Sequence, residues 1–337
     1  MRRVQTLSEE FSPVLSQGEY FQEVRKYKLL TPLIGAGSTP FVNDTQMPIR
    51  GGTIRGVLRF WWRATCGNRF GNLEKMRAAE EAIWGSTDKA SLIDVYVDIK
   101  PSDESKLKPS HQKKDKPDGS VIPAYISWPL NPPKEKPNDI KKVLLGVEFA
   151  LRFRFPPKVA DRDFREEIRL TLWAFDFFGG VGARTRRGAG AVFRIDDEGK
   201  PYYTKADMEW GWPHIRSNTW PDGVPYINTT LRAKLITAPW LKLVNIHKTF
   251  FSEQFSKVNR FQNLDAAKMK RTALGAPFKW KQVKVDERLA SPIIYRPIRL
   301  KEGDFSVVVV LQNLGKQSPK ANPSLIKGFF DTLGGTQ

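Results

Sequence analysis

A glycine- and arginine-rich segment at residues 178–191 most constrains what this chain can fold into. It reads FGGVGARTRRGAGA, and it lies between an apolar helical pattern and an apolar strand pattern. A dinucleotide-binding fingerprint runs in the opposite direction, from strand through glycines to helix. The chain also contains no GxxxxGK[ST] phosphate-binding loop. The order helix, glycines, strand excludes the first of these common nucleotide sites, and the missing motif excludes the second.

The composition of this segment predicts a loop that contacts phosphate groups. Glycine allows the backbone to approach a ligand closely, and arginine offers a planar set of donors that matches phosphate. Because a mononucleotide signature is missing, a nucleic-acid backbone is the expected ligand. The expected contact residues are Gly179, Gly180, Gly182, Arg184, Arg186, Arg187 and Gly188.

A second basic feature lies in a helix predicted over residues 52–66. Apolar residues from Ile54 to Thr65 recur at helical spacing and form a buried stripe, whereas arginines four residues apart form a basic stripe on another face. Trp62 lies near the arginine edge and is expected to stack on a base, with core packing as the alternative. The nucleic-acid contacts expected in this region are Arg50, Arg55, Arg59, Trp62 and Arg63.

The charge balance favours a polyanionic partner. The chain carries 55 Lys and Arg against 36 Asp and Glu, a formal net charge of +19. Neutralising phosphates releases condensed counterions, which favours nucleic acid; a basic surface kept for solubility or thermostability is the alternative. No apolar run reaches membrane-spanning length, and the first residues do not resemble a signal peptide. We therefore expect no membrane partner.

Cysteine usage fits a cytoplasmic protein. Cys66 is the only cysteine, so an intramolecular disulfide or a cysteine-built zinc site is excluded. Cys66 lies in a helical apolar pattern and is expected in the core.

The order of elements predicts an α+β fold. Up to residue 195 the patterns read strand, helix, strand, strand, helix, strand, which describes a ferredoxin-like domain over residues 1–205. The strand before the second helix is predicted over residues 143–155, and residues 100–142 are expected to form a mobile insertion. Residues 206–337 are expected to form a second, diverged ferredoxin-like domain.

Three segments together resemble the RAMP superfamily of CRISPR proteins. They are TPLIGAG (31–37), IRGGTIRGVLRFWWR (49–63) and GGVGARTRRGAGAV (179–192). The WWR-bearing helix and ERLASPIIYRPIRL (287–300) are similar, more specifically, to the first-subunit family of Cmr (type III-B) effector complexes. The insertion at residues 100–142 does not map onto the family pattern.

The resemblance implies ferredoxin-like (RRM-like) domains, binding to CRISPR RNA or its target, and assembly with other RAMP subunits. It also implies a place toward the end of the complex that holds the 3′ region of the guide. The implied RNA-binding residues are Arg50, Arg55, Arg59, Arg63 and the stretch from Gly179 to Gly190.

Catalysis is the main alternative, because some RAMP relatives are metal-independent ribonucleases with a catalytic histidine. His111, His214 and His247 all lie outside the glycine loop, where no general-base partner is evident. Asp176 is the best single metal-ligand candidate, with Asp94 and Asp98 on one strand face, yet Asp176 is expected to pair with an arginine instead. We therefore expect no catalytic residue, metal or cofactor.

The sequence thus predicts a non-catalytic subunit that binds single-stranded RNA through its phosphates. One alternative is a RAMP-class endoribonuclease that processes CRISPR precursor RNA. Another is a structural subunit whose basic face contacts protein. Whether guide or target RNA is the main ligand stays open at this point.

Overall fold

The computed structural model describes residues 20–35, 42–102, 104–110, 141–156, 162–216, 219–256, 291–312 and 323–333, with the single positions 122, 123, 126, 130, 158 and 159. The helices and strands in chain order are β1 (Phe21–Leu29), α1 (Gly51–Cys66), α2 (Leu73–Trp84), β2 (Asp94–Ile99), β3 (Leu107–Pro109), β4 (Lys142–Leu144), β5 (Glu148–Phe155), β6 (Lys158–Val159), β7 (Arg162–Asp163), α3 (Phe164–Phe178), β8 (Val192–Ile195), α4 (Lys205–Glu209), β9 (Tyr226–Ile227), β10 (Lys234–Ile236), α5 (Trp240–Ser256), β11 (Ile293–Leu300), β12 (Gly303–Gln312) and α6 (Pro323–Thr332).

The first sheet has the strand order β2-β5-β1-β8, and each neighbouring pair is antiparallel. Side chains alternate between its two faces, as the period of a strand requires. Tyr27 and Leu151 point into the core, where Tyr27 meets Phe175 of α3, whereas Val24 and Tyr96 stay exposed. The helices α1 and α3 therefore cover one face and leave the other open to solvent.

The second sheet has the order β10-β12-β11, and β9 pairs with the end of β12. Its central strand β12 is buried on both faces. Val307 and Val309 join the core that also contains the first sheet, whereas Val308 and Val310 join a second cluster with residues of α5 and α6. The second sheet thus lies between the first half of the chain and its own helices. The prediction of a mixed helix-and-sheet fold is confirmed.

The region before α3 differs from its prediction. The strand predicted over residues 143–155 is two strands, because Gly146 between them has a φ of +60°. That conformation suits glycine and interrupts an extended run. The first piece, β4, pairs with β3 instead of joining the main sheet.

The insertion at residues 100–142 is partly built into the protein. Besides β3, it contributes Ser110, Ile122, Ile126 and Leu130, each at most 1% exposed. The three apolar residues pack in the same cluster as α5 and α6. The expectation of a mobile surface insertion is therefore wrong for these residues; positions 111–121 and 131–140 lie outside the described part.

Within the described residues, no helix is both long enough and apolar enough to cross a lipid bilayer.

Candidate nucleic-acid interface

Helix α1 and the glycine–arginine loop (residues 179–190) line one cleft of about 300 Å³. From α1 come Gly56, Val57 and Phe60, and from the loop come Gly182 and Arg186. The cleft forms because α1 packs along α3, and the loop leaves the end of α3 beside that helix. No carboxylate occurs among the described lining residues, so the cleft is suited to an anion and not to a cation.

The start of α1 adds to this electrostatic character. Arg50 is the N-cap and forms no side-chain cap, and the first turn contains no acidic residue. The exposed amides at the start of a helix carry partial positive charge, which here is not offset by a carboxylate of the helix. Arg50 itself pairs with Asp44 at 2.9 Å and is 41% exposed at its side chain.

The arginine stripe of α1 is only partly available to a ligand. Arg59 Nε and Arg63 Nη1 both donate to Oε1 of Glu80 on α2, at 2.8 and 2.5 Å. The Glu80 side chain is only 5% exposed, so these arginines compensate a buried charge. Arg55 is exposed and forms no ion pair with a described residue. Among the three, Arg55 is therefore the cation best placed to meet phosphate.

The expected stacking role of Trp62 is wrong in this structure. Trp62 is 0% exposed, and its indole N–H donates to Glu167 Oε2 on α3 at 3.0 Å. The reason is that α3 packs across this edge of α1 and supplies the polar partner that a buried indole needs. The aromatic residue of α1 that lines the cleft is Phe60, which the sequence reasoning missed. Its i+4 spacing from Gly56 was the available signal.

The glycines of the loop are required by its own packing. Gly182 and Gly188 have φ values of +81° and +82°. A Cβ on Gly182 would lie 2.5 Å from Leu33 Cδ1, and one on Gly188 would lie 2.5 Å from Trp240 Nε1. Two further glycines of the loop have ordinary φ values but also leave no room for a side chain. A Cβ on Gly179 would lie 2.5 Å from the carbonyl oxygen of Phe175. A Cβ on Gly180 would lie 2.9 Å from the carbonyl oxygen of Gly190. The close approach predicted for these glycines is thus made first to the protein itself.

Two of the loop arginines contact the second sheet. Arg186 Nη1 donates to the Ser291 carbonyl, and its guanidinium lies 5.5 Å from the centre of the Phe60 ring. Burial, and then the charge of Arg187, lower the pKa of Arg186 to about 10. Arg187 Nη1 donates to the Ile293 carbonyl at 2.9 Å, and its guanidinium lies 5.3 Å from the Tyr295 ring centre. Neither arginine pairs with a described carboxylate. Arg186 therefore brings an uncompensated positive charge to the cleft, whereas Arg187 lies at Tyr295, outside the cleft lining.

The backbone of the loop provides further donors. Arg184 has a φ of +64° and is the one non-glycine residue of the described chain in the left-handed region. The backbone N–H groups of Gly182 and Thr185 donate to no carbonyl of the described residues. Alternation of left- and right-handed residues makes a concave set of amides that suits an anion.

Asp176 lies in a buried network at the end of α3, away from the cleft. It accepts hydrogen bonds from Arg25 at 2.5 Å, Tyr27 at 2.7 Å and Tyr203 at 2.6 Å. Burial, followed by the charge of Asp176, raises the pKa of Tyr27 well above its usual value. The prediction that Asp176 pairs with an arginine is confirmed.

In the described part of the chain, the other carboxylates and the two histidines show no catalytic arrangement. Asp98 pairs with Arg152 at 2.6 Å, and the described residues contain no group of three His, Cys, Asp or Glu side chains that could hold a metal. His214 Nδ1 lies 3.3 Å from Glu166 Oε1. His247 packs between the rings of Tyr295 and Phe329, where burial lowers its pKa well below the usual value. Neither histidine lines the cleft, and His111 lies outside the described residues.

A family comparison agrees with the motifs. The RAMP superfamily model matches residues 26–193, a span that contains β1, α1, α3, the glycine–arginine loop and β8. The chain belongs to the RAMP superfamily.

Two curated relatives come from Pyrococcus furiosus. The chain is 27% identical over 183 residues to the CRISPR system Cmr subunit Cmr1-2, covering 51% of this chain and 94% of that protein. It is 29% identical over 153 residues to the subunit Cmr1-1, covering 43% of this chain and 40% of that protein. The sequence resemblance to the first-subunit family of Cmr complexes is therefore confirmed.

Solved structures share the fold along most of the chain. A chain of the type III-B Cmr-beta complex bound to cognate target RNA has a TM-score of 0.62 at 15% identity, over 94% of this chain and 99% of that one. Cmr1 from Pyrococcus furiosus in its apo form has a TM-score of 0.50 at 17% identity, over 86% of this chain and 88% of that one. At such identities the match concerns the fold, which includes the second sheet as well as the first.

Proposed function

We propose that this chain is a cytoplasmic, non-catalytic RNA-binding subunit of a type III-B (Cmr) RNA-silencing complex. In this role it contacts the backbone of guide or target RNA near the guide 3′ end and assembles with other RAMP subunits. The observation that carries the proposal is that α1 and the glycine–arginine loop, far apart in sequence, line one cleft without carboxylates. The names of the relatives support the choice of complex.

The charges around the cleft fit an RNA backbone. Arg186 lies in the wall of the cleft without a carboxylate partner in the described chain. Arg55 is exposed on another face of α1, where it lines a separate pocket with Asp94 and Tyr96 and can meet a strand that extends beyond the cleft. Contacts of this kind position a strand without reading its sequence. Such binding suits a subunit whose specificity comes from guide pairing. In other RNA-guided systems, too, the protein holds the nucleic-acid backbone and base pairing with the guide reads the sequence.

We also propose that the chain consists of two ferredoxin-like domains, over residues 1–205 and 206–337. The order β1-α1-β2-β5-α3-β8 with sheet order β2-β5-β1-β8 supports the first domain. The order β10-α5-β11-β12-α6 with sheet order β10-β12-β11 supports the second. The second is diverged, because the described part of that sheet has β9 beside the end of β12 instead of a strand beside β10.

The endoribonuclease alternative has less support from the described residues. A general base must reach the proton that it removes, and neither His214 nor His247 lies at the cleft. His247 is 1% exposed, so an RNA strand does not reach its ring. We therefore expect the purified protein, with or without Mg²⁺, to leave labelled RNA intact. Cleavage that is abolished by His111→Ala, His214→Ala or Asp176→Asn would replace our proposal with the nuclease alternative.

RNA affinity as a function of salt tests the binding proposal. We expect the isolated protein to bind unrelated single strands similarly, with a steep loss of affinity as salt rises, because phosphate contacts release counterions. Arg55→Ala is expected to weaken binding, whereas the control Arg152→Ala, an exposed arginine on the far face of the first sheet, is expected to change it little. A flat salt response would favour a structural subunit whose basic face contacts protein.

A further inference from the structure

Arg296 of β11 is a fully buried arginine to which the proposed function assigns no role. It is 0% exposed. Its Nη1 donates to the carbonyls of Asp176, at 3.3 Å, and Gly179, and its Nη2 donates to the carbonyl of Val192. Its Nε donates to the Pro297 carbonyl at 3.1 Å. Every hydrogen bond described for this side chain therefore goes to backbone oxygen.

The chemistry of these contacts is unusual for a core residue. No described carboxylate lies within ion-pair distance of Arg296, and burial lowers its pKa to about 9. Two of its acceptors lie at the C-terminal end of α3, where carbonyl dipoles favour a cation: Asp176 is in the last turn, and Gly179 directly follows the helix. An apolar side chain would fill the space without the cost of burying a charge. The guanidinium is thus suited to holding backbone carbonyls, and not only to filling volume.

The carbonyls that Arg296 holds lie at the two ends of the glycine–arginine loop. Gly179 is its first residue, and Val192 follows shortly after its last. The contacts also run in the other direction, because Arg186 donates to the carbonyl of Ser291, just before β11, and Arg187 to that of Ile293, its first residue. The indole N–H of Trp240 on α5 donates to the Arg187 carbonyl at 2.9 Å. The second half of the chain therefore fixes the loop at its ends and at its centre.

We propose that Arg296 is a positioning residue for RNA binding, which fixes both ends of the loop so that Arg186 and the backbone of the loop face the cleft. This inference rests on the proposed function of the cleft. It assigns a role to the segment SPIIYRPIRL (291–300) in the second half of the chain. This segment lines the cleft through Ile294 and contributes no charged group to its lining.

Hydrogen exchange tests the positioning without any RNA. Arg296→Met removes the donors and keeps an unbranched side chain of similar length. We expect faster amide exchange at Val181 and Gly190, whose N–H groups bond within the loop and to Pro32, and unchanged exchange in β1 and β5. The matched control is Arg299→Met, which removes the same charge from the same strand but at a half-exposed position that pairs with Asp304. Equal exchange in the two variants would overturn the proposal.

RNA affinity tests the consequence. Arg296→Met is expected to weaken binding of a single-stranded RNA about tenfold and Arg296→Lys less, with Arg299→Met close to the parent. The salt slope should also fall, by about 0.7 for each phosphate contact that the loop loses. A variant that merely loses folded molecules would keep the parent slope. If the parent does not bind RNA, the proposed function fails; if the parent and Arg296→Met bind alike, only the positioning role fails.

Trp240→Phe keeps the proposal testable if Arg296→Met does not fold. This change removes the indole donor to the Arg187 carbonyl together with one of the two fused rings, and it retains a single aromatic ring. We expect faster exchange in the loop and a smaller loss of affinity in the same direction. Parent-like exchange and affinity in a well-folded Trp240→Phe protein, together with an Arg296→Met protein that does not fold, would overturn the proposal.

Discussion

At the scale of single residues, the loop glycines show how sequence and packing combine. Gly182 and Gly199 share a left-handed backbone, with φ values of +81° and +77°. They differ in surroundings, because a Cβ on Gly199 would meet no atom within 4 Å, whereas one on Gly182 would meet Leu33 and the Ile34 carbonyl. Substitutions at Gly182 and Gly199 can therefore be compared to separate the free-energy cost of backbone strain from that of steric overlap.

We expect Gly182→Ala to lower the free energy of unfolding more than Gly199→Ala does. Strain at a left-handed position costs about 1–3 kcal/mol in either variant, and only Gly182→Ala adds the steric overlap. Denaturant titration of both variants measures the difference. Equal stability losses in the two alanine variants would show that Leu33 and Ile34 move aside without cost.

His247 predicts a dependence of stability on pH. Burial holds its pKa in the folded state well below the usual value. Below about pH 6.5 the unfolded chain binds a proton that the folded chain excludes, so the contribution is complete above that pH and is lost as the pH falls, by up to about 1.4 kcal/mol per pH unit. Unfolding free energies of the parent and His247→Phe between pH 5 and 8 test this. The variant is expected to show the flatter curve, and parallel curves would contradict the assignment.

At the scale of elements, α1 presents three different faces. One packs in the core through residues such as Ile54 and Leu58, one lines the cleft through Val57 and Phe60, and one carries the arginines. The arginine face meets α2, where Glu80 is buried. The helix therefore packs in the core, lines the cleft and connects to α2 at the same time.

We expect the arginines of α1 to separate into two groups on mutation. Arg59→Ala with Arg63→Ala should lower the free energy of unfolding by about 2–3 kcal/mol, because the buried Glu80 carboxylate loses both partners. Arg55→Ala should change it by no more than about 0.5 kcal/mol, because this side chain is exposed. Chemical denaturation of each variant provides the measurement.

Glu80→Gln supplies the control for this prediction. Added to the double arginine variant, it removes the unpaired charge and should restore most of the lost stability. If the double variant is as stable as the parent, the interaction with Glu80 contributes nothing measurable and the arginine face is simply solvated.

At the scale of the whole molecule, the two sheets share a core. Ile294, Ile298 and Val309 of the second sheet belong to the same apolar cluster as Tyr27 and Leu151 of the first. The buried Arg296 adds hydrogen bonds from β11 to the end of α3 and to β8. The two halves are therefore joined by packing and by backbone contacts.

We expect the full chain to unfold in one cooperative transition. A shared core couples the halves, so neither retains its apolar contacts when the other unfolds. Differential scanning calorimetry together with tryptophan fluorescence measures this. Two separate calorimetric transitions, or a fluorescence midpoint that differs from the calorimetric one, would indicate that the halves unfold independently.

The sequence by itself determined the elements and the superfamily. The 3.6-residue period of α1 and α3 and the alternation in β1, β5 and β11 follow from local side-chain spacing, so these elements were predictable to within a few residues. The glycine–arginine loop between helix and strand was predictable for the same reason. The pairing of Asp176 with an arginine was also expected, because a carboxylate in an apolar helix needs a partner.

Only the tertiary structure decided which faces are covered, because covering neighbours come from distant parts of the chain. Spacing places Trp62 at the edge of the apolar stripe of α1, but the packing of α3 puts it in the core beside Glu167. Spacing also places Arg59 and Arg63 on one face, but α2 supplies Glu80 to them. Arg296 sits in an ordinary strand pattern, and it bridges the loop ends only because β11 packs against α3 and β8. Long-range packing of this kind is not encoded in the period of any one element.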